Sequence, residues 1–286
     1  MMNLERHAAN SIDEAIALLS KHGDRARLIS GGTDLLVRMK KREAMPEIVV
    51  SIEKVKGLDK IVYDKDEGLR IGALATLRSI HESSLIKTKF GVLAQAAGML
   101  GTPTIRNQAT IGGNLCNAAP SADTAPALMV MGAKVRIHGP EGQTVMPIED
   151  FFKGPGQTAL NHDQILTEIQ VPDLPANSGA AYQKQTRSRG ADLAIVGVAA
   201  YIEMENQVIK EVRIALGAVA PTPVRARKTE EVLKGKSLDD TLLDEAGKTA
   251  SGESKPIDDV RGSANYRQKL VAVLTRRAVT QAAEQI

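Results

Sequence analysis

The chain of 286 residues has no tryptophan, three phenylalanines and four tyrosines, so aromatic residues make up only 2% of it. Its core must be built from Leu, Ile, Val, Met and Ala, and few rings remain to stack on a bound ligand. There is one cysteine, Cys116, which excludes a disulfide and an iron–sulfur cluster ligated by this chain. The five histidines (His7, His22, His81, His138 and His162) stand far apart, none paired at ligand spacing, and no metal site is expected. No G-x-S-x-G elbow, G-x-x-x-x-G-K-[ST] loop or G-x-G-x-x-G fingerprint occurs, so the short signatures of serine hydrolases, P-loop NTPases and Rossmann sites are missing. No apolar run reaches membrane-spanning length, and Met1-Met2-Asn3-Leu4-Glu5-Arg6 carries no signal segment. The expectation is a cytoplasmic protein without membrane insertion.

The content that is present is ordinary for a globular protein: 43% hydrophobic and 25% charged, with a net charge of +3. The basic residues are scattered. The one basic run, Arg38-Met39-Lys40-Lys41-Arg42, has no interleaved aromatic and reads as a solvated helix face, not as a nucleic-acid site. The length favours two domains.

Hydrophobic periodicity divides the chain further. Ser11-Ile12-Asp13-Glu14 is a capping box opening a helix that Gly23 stops. A strand at 27–29, a helix at 35–41 and a buried strand at 47–52 complete a small α/β unit over residues 1 to about 54. A hairpin (61–63 and 69–72), a helical stretch at 85–100 ended by Gly101-Thr102-Pro103, a helix from Asp123 to Met131, and strands at 133–138, 143–146 and 165–171 form a second unit, to residue 175. Asp173-Leu174-Pro175-Ala176-Asn177-Ser178-Gly179 is the best linker. Residues 176–286 hold three strands (180–186, 194–204, 208–219) and then helices near 239–250 and 264–283, the order of an α+β domain.

Two glycine-paired loops carry the chemistry. Ile29-Ser30-Gly31-Gly32-Thr33-Asp34-Leu35-Leu36 follows a strand, and Thr110-Ile111-Gly112-Gly113-Asn114-Leu115 follows an extended stretch. A Gly-Gly step reaches positive φ and lets amide N–H groups converge on an oxyanion. Either loop alone is most simply a turn; two of them closing on each other could hold a pyrophosphate without a lysine, as a dinucleotide requires. A carboxylate would repel a phosphate, so Asp34 is read as capping the 35–41 helix, leaving Ser30, Gly31, Gly32 and Thr33 as donors. Lys184, in the strand Tyr182-Gln183-Lys184-Gln185-Thr186, is either solvent-facing or a cation near the pyrimidine edge of a flavin, where it stabilises the charge that appears on reduction. Asp123 reads first as an N-cap and Cys116 as a small buried hydrophobe.

Taken together, Ser30-Gly31-Gly32-Thr33-Asp34-Leu35, the run Gly101-Thr102-Pro103-Thr104-Ile105-Arg106-Asn107 leading into Thr110-Ile111-Gly112-Gly113-Asn114-Leu115-Cys116-Asn117-Ala118-Ala119-Pro120-Ser121-Ala122-Asp123, and the Ile165-Leu166 and Lys184 positions resemble the FAD-binding medium subunits of the molybdenum hydroxylases, the xanthine dehydrogenase and carbon monoxide dehydrogenase family. The resemblance covers essentially the whole chain. It implies an α+β fold: a two-subdomain FAD-binding domain of the PCMH (vanillyl-alcohol-oxidase-like) type, followed by a C-terminal α+β domain with a three-stranded antiparallel sheet and helices. It implies that residues 29–36 and 110–114 hold the FAD pyrophosphate, that Gly101 and Asp123 lie along the cofactor, and that Leu166 and Lys184 approach the isoalloxazine. The partners it implies are a molybdopterin-binding large subunit and a small subunit with two [2Fe-2S] clusters, assembled as a dimer of heterotrimers. Electrons would pass from substrate at molybdenum through the clusters to FAD and on to an external acceptor. Leu100 and Leu193 stand where relatives often carry a flavin-adjacent aromatic, and the Gly190-Ala191-Asp192 step is one residue longer than the commoner spacing.

Two other readings remain open at this point. One is a stand-alone FAD reductase resembling UDP-N-acetylenolpyruvoylglucosamine reductase, which would need its own proton donor and substrate arginine. The other is a non-catalytic nucleotide-binding scaffold.

Overall fold

In the computed structural model, which describes residues 4–188 and 192–286, the first unit is a three-stranded parallel sheet in the order β1 (Glu5–Ala8), β3 (Ile48–Ser51), β2 (Ala26–Ile29). The central strand reads Ile-Val-Val-Ser and is buried at every position, as a parallel strand covered on both faces must be. Between β1 and β2 lies α1 (Ile12–His22), which turns Ala15, Ile16 and Leu19 onto the sheet. Ser11 Oγ accepts from the Glu14 amide at 3.1 Å, but Glu14 bonds back to the Asn10 amide at 2.8 Å, so the box closes one residue earlier than expected. Gly23 ends the helix at φ 54°. The helix α2 (Leu35–Lys40) connects β2 to β3. The strand β1 escapes sequence reading because Glu-Arg-His-Ala has no apolar alternation; it is held by its ladder to β3.

The second unit is an antiparallel sheet in the order β4 (Ile61–Asp64), β5 (Gly68–Gly72), β10 (Ile165–Val171), β6 (Lys134–Gly139), β7 (Gly142–Pro147). A small hairpin, β8 (Phe152–Gly154) with β9 (Gln157–Thr158), follows the one-turn helix α9 (Ile148–Phe151). Between β5 and β6 the chain forms α3 (Leu77–Glu82), α4 (Ser84–Lys89), α5 (Gly91–Gly98), α6 (Pro103–Gln108), α7 (Ile111–Cys116) and α8 (Thr124–Val130). The helix expected over 85–100 is therefore two helices. Phe90 leaves helical geometry at φ −134° and buries its ring almost completely, and that burial outweighs one more helical turn.

The third unit has β11 (Ser178–Gln185), β12 (Val196–Glu205) and β13 (Val208–Gly217), the three expected antiparallel strands, extended by the two-residue β14 (Val224–Arg225). Then come α10 (Arg227–Leu233), α11 (Asp240–Glu253) and α12 (Ala264–Ala283). The two additions, β14 and α10, are too short for periodicity to reveal. Both faces of β12 are buried: Val198, Ala200 and Ile202 pack under the helices, while Ala199 and Tyr201 turn to the core of the second unit. The connection at 172–177 has no regular structure, and the last two residues of the expected linker belong to β11.

All seven residues of α8 are buried, because it lies between the second unit's core and β12–β13. A helix with no solvent face can be apolar all round, as Thr-Ala-Pro-Ala-Leu-Met-Val is. The seam beside it carries polar ties: the Ala218 amide donates to the Pro120 carbonyl at 2.7 Å, and the Tyr182 amide to Gln95 Oε1 at 3.2 Å. Glu149 on α9 accepts from Arg225 at 2.7 Å and from Arg227 at 2.5 Å.

Candidate functional site

After β2 the chain turns through Ser30–Asp34 with Gly32 at φ +69°, a conformation that glycine adopts without strain. Among the described residues, the amides of Ser30, Gly31, Gly32, Thr33 and Asp34 donate to no acceptor in the chain. Backbone donors left free in this way are satisfied by solvent or by a ligand. Ser30, Gly31 and Gly32 form one wall of a groove of about 980 Å³.

The second loop is built differently. Thr110 caps α7, its Oγ1 accepting from the Gly113 amide at 3.1 Å, and the Asn114 amide donates to the Thr110 carbonyl at 2.9 Å. The amides of Ile111 and Gly112 donate to Ala75 and Ala73 carbonyls, both at 2.9 Å. The expectation of two converging nests is thus corrected: one loop presents free amides, and the other has turned its own inward to start a helix. What the second loop brings to the groove is the Thr110 hydroxyl, 3.0 Å from that of Ser30, with Gly113 leaving the space beside this hydroxyl pair unfilled.

Two other glycines permit the approach of backbones. A Cβ on Gly31 would collide with the Gln108 carbonyl, and one on Gly112 would lie 2.7 Å from Ala73 Cβ. Asp34 occupies the N-cap position of α2 but in the αR region, and its side chain makes no capping bond, so its expected capping role is also corrected. An αR residue points its carboxylate away from the N2 and N3 amides that a cap must reach. Of the residues expected at the pyrophosphate, Ile29, Ser30, Gly31, Gly32, Leu36 and Thr110 line the groove; Thr33, Asp34, Leu35, Ile111, Gly112, Gly113 and Asn114 do not. The groove is also lined by Val49 and by Glu53–Gly57, with Lys54 and Lys56, which no sequence motif signalled.

A second cluster is reached along α7. Asn114 Oδ1 accepts from Thr124 Oγ1 at 2.6 Å. Next to Thr124, Asp123 stands at the N-cap position of α8 without capping it. Its carboxylate instead accepts from Lys184 Nζ and from the Tyr182 hydroxyl, each at 2.8 Å. Lys184 also donates to the Met99 carbonyl at 2.9 Å. The Lys184 and Asp123 side chains are 5% and 4% exposed, so the lysine is not a solvent-facing strand residue. Burial pushes the Asp123 carboxyl above its ordinary range, against the pull of Lys184 and Tyr182. Burial and then the adjacent carboxylate push the Tyr182 hydroxyl well above its own. Tyr182 was missed as a site residue, although i and i+2 on a strand share a face, and that alternation could have paired it with Lys184.

Gly101 lies beyond this cluster at φ +51°. The Arg106 guanidinium donates to the carbonyls of Leu100 and Gly101, both at 2.9 Å. Leu166 does not line the groove; it is buried in the second unit's core with Ile111 and Leu115, beside a bulge in the β10–β6 ladder. Leu100 is half-buried and Leu193 is 50% exposed, while Gly190 and Ala191 lie outside the described residues. Cys116 is a poor nucleophile, because burial pushes its thiol up to about 12.

A two-unit domain with a free-amide loop lining a groove, packed against an α+β domain that pairs a buried lysine with Asp123, points to a dinucleotide-binding flavoprotein. The comparisons agree on which. Residues 2–174 match the FAD binding domain in molybdopterin dehydrogenase, and residues 180–282 match the CO dehydrogenase flavoprotein C-terminal domain. The chain is 34% identical over 282 residues to the carbon monoxide dehydrogenase medium chain of Afipia carboxidovorans, covering 98% of this chain and 96% of that one. It is 32% identical over 277 residues to the xanthine dehydrogenase FAD-binding subunit of Escherichia coli O157:H7, covering 96% and 94%. The solved carbon monoxide dehydrogenase from Hydrogenophaga pseudoflava superposes with a TM-score of 0.96 at 32% identity, covering 99% of this chain and 98% of that one. The chain belongs to the FAD-binding medium subunits of the xanthine dehydrogenase and carbon monoxide dehydrogenase family. It is an FAD-binding oxidoreductase subunit.

Proposed function

We propose that the chain is the electron-relay subunit of a molybdenum-containing hydroxylase. It takes electrons from the [2Fe-2S] clusters of a small partner subunit and passes them through FAD to an external acceptor, beside a molybdopterin-binding large subunit, in a dimer of heterotrimers. The observation that carries the reading is the Ser30–Asp34 loop, whose five amides lack acceptors among the described residues and whose Ser30, Gly31 and Gly32 line a groove of about 980 Å³. FAD, once bound, supplies the redox chemistry, accepting electrons from one partner and releasing them to another. The chain's own residues do the rest. Ser30, Gly31, Gly32 and Thr33 would hold the pyrophosphate with neutral donors, and Thr110 would add its hydroxyl. Asp123, Tyr182 and Lys184 fix the chain around the far end of the cofactor and set the charge there. The family names of the relatives support the medium-subunit role; xanthine, carbon monoxide and nicotine occur in the names of individual relatives and are substrates of those complexes.

Purification from the native host tests this. The expected result is a brown complex with two further chains, whereas the isolated chain is yellow, reducible by dithionite, and inert towards N-heterocycles and aldehydes. Gly32→Val and Gly113→Val should each lose FAD with the fold intact. A homogeneous preparation of this chain alone that turned over an organic substrate with NAD(P)H faster than ~1 per second would replace the relay by a stand-alone reductase.

A further inference from the structure

Three successive carbonyls, those of Met99, Leu100 and Gly101, are held by two cations. Lys184 Nζ takes the first at 2.9 Å, and one nitrogen of Arg106 takes the second and third, both at 2.9 Å. The segment is therefore stitched from two sides, by a strand of the C-terminal unit and by α6 of the second unit. Gly101 at φ +51° is what lets two consecutive carbonyls meet a single nitrogen, and a Cβ there would press on Ile105 at 3.1 Å.

A trans peptide is planar, with its N–H opposed to its C=O. Fixing the Leu100 carbonyl on Arg106 therefore fixes the Gly101 N–H in the opposite direction. That N–H has no acceptor among the described residues, whereas the amides just before it, Met99 and Leu100, donate within the turn to Gln95 and Ala97. The free donor is one peptide beyond the carbonyl that holds Lys184, and Lys184 is paired with Asp123, whose neighbour Thr124 bonds Asn114 of α7, the helix capped by the groove residue Thr110. Arg106 itself lines neither the groove nor this cluster.

We propose that Arg106 is a positioning residue for the flavin ring: by holding the Leu100 and Gly101 carbonyls, it aims the Gly101 amide at an acceptor atom of the bound isoalloxazine. The inference rests on the FAD reading above. An amide held in this way donates more strongly as the ring gains electrons, since a charged acceptor forms the stronger hydrogen bond. Arg106 thus raises the cofactor's reduction potential without touching it.

The test uses the purified full-length chain with added FAD, reading stoichiometry, visible absorption spectrum and midpoint potential. Arg106→Met should keep FAD at one per chain, because the Ser30–Asp34 amides are untouched, yet shift the visible bands and move the oxidised-to-reduced ratio at fixed potential by about tenfold. Tenfold corresponds to about 30 mV for a two-electron couple. Arg106→Lys, which keeps a donor but not the fork, should restore part of the shift. If Arg106→Met fails to fold, Arg106→Gln is read by the same criteria, since its shorter side chain cannot reach both carbonyls. A folded variant with FAD bound and with unchanged spectrum and potential overturns the proposal. So does loss of FAD from a folded variant, because that makes Arg106 an anchor and not a positioning residue. The underlying FAD reading fails separately, if Gly32→Val and Gly113→Val both keep full flavin.

Discussion

At the scale of single residues, the buried Asp123–Lys184 pair changes what the lysine can do. Read from sequence, Lys184 is either a solvent-facing strand residue or a cation offered to the flavin; in the structure its charge is compensated at 2.8 Å and shared with the Met99 carbonyl. Removing one partner exposes the other's charge, and the two removals act in opposite directions. Asp123→Asn leaves an unopposed ammonium, which favours the more negative, reduced cofactor and raises its potential. Lys184→Met leaves a carboxylate and lowers it. Each single change also strands a buried partner and should cost roughly 3–5 kcal/mol of stability. The double variant should cost clearly less than the sum, because neither charge is left unpaired. Redox titration and denaturant unfolding of the three variants check this. Additive stability losses, or shifts of the same sign in both single variants, would mean that the pair is not coupled and does not face the cofactor.

At the scale of elements, the glycines of the two loops have different jobs, and the sequence shows only that they are glycines. Gly32 needs positive φ, Gly113 leaves space beside the Ser30 and Thr110 hydroxyls, and Gly31 lets its loop touch the Gln108 backbone. Gly31→Ala adds a single methyl group, but it lands on a backbone carbonyl that cannot move without moving α6. It should cost about 1–3 kcal/mol and, by prising the loops apart, should release FAD more completely than Gly32→Ala, whose close contacts are the side-chain ends of exposed Leu36 and of Ile29. Equilibrium dialysis of FAD against both variants decides the order; equal retention would separate loop contact from cofactor binding. The same contrast shows what was legible in advance. Ser11, Gly23, the hairpin at 61–72 and the long strands announce themselves by caps, turns and alternation, and so do the two Gly-Gly loops. What stayed hidden depends on tertiary contact. Asp34 and Asp123 carry strong cap signatures, yet one sits in αR geometry and the other bonds across the domain seam. The amides of Ile111 and Gly112 are consumed by the carbonyls of Ala75 and Ala73, some forty residues away, which no local pattern encodes. The break at Phe90 follows from where its ring finds a core, and β1 from the strand beside it.

At the scale of the whole molecule, the C-terminal unit does more than cover the second. It supplies Tyr182 and Lys184 to the site, and it is held there by the apolar α8 and by a polar clamp between α9 and β14. In the clamp, buried Arg225 bridges Glu149 of the second unit, at 2.7 Å, and Glu230 of its own, at 2.6 Å, while Arg227 takes the other oxygen of Glu149. Because Glu230 keeps Arg225 paired, Glu149→Gln weakens the seam without leaving a buried cation alone. The loss should be about 1.5–3 kcal/mol, the worth of hydrogen bonds to charged groups. A molecule of this kind need not unfold in one step, and a weaker seam should uncouple its units. Calorimetry of Glu149→Gln should therefore show the C-terminal unit melting earlier, with FAD still bound at one per chain below that transition, since no groove residue is changed. Above it, the Lys184–Asp123 pair opens together with the seam, so the visible spectrum should move towards that of Lys184→Met before FAD is released. A thermogram and spectrum identical to those of the unaltered chain would mean that α8 packing alone holds the seam, and that the clamp fixes orientation without adding stability.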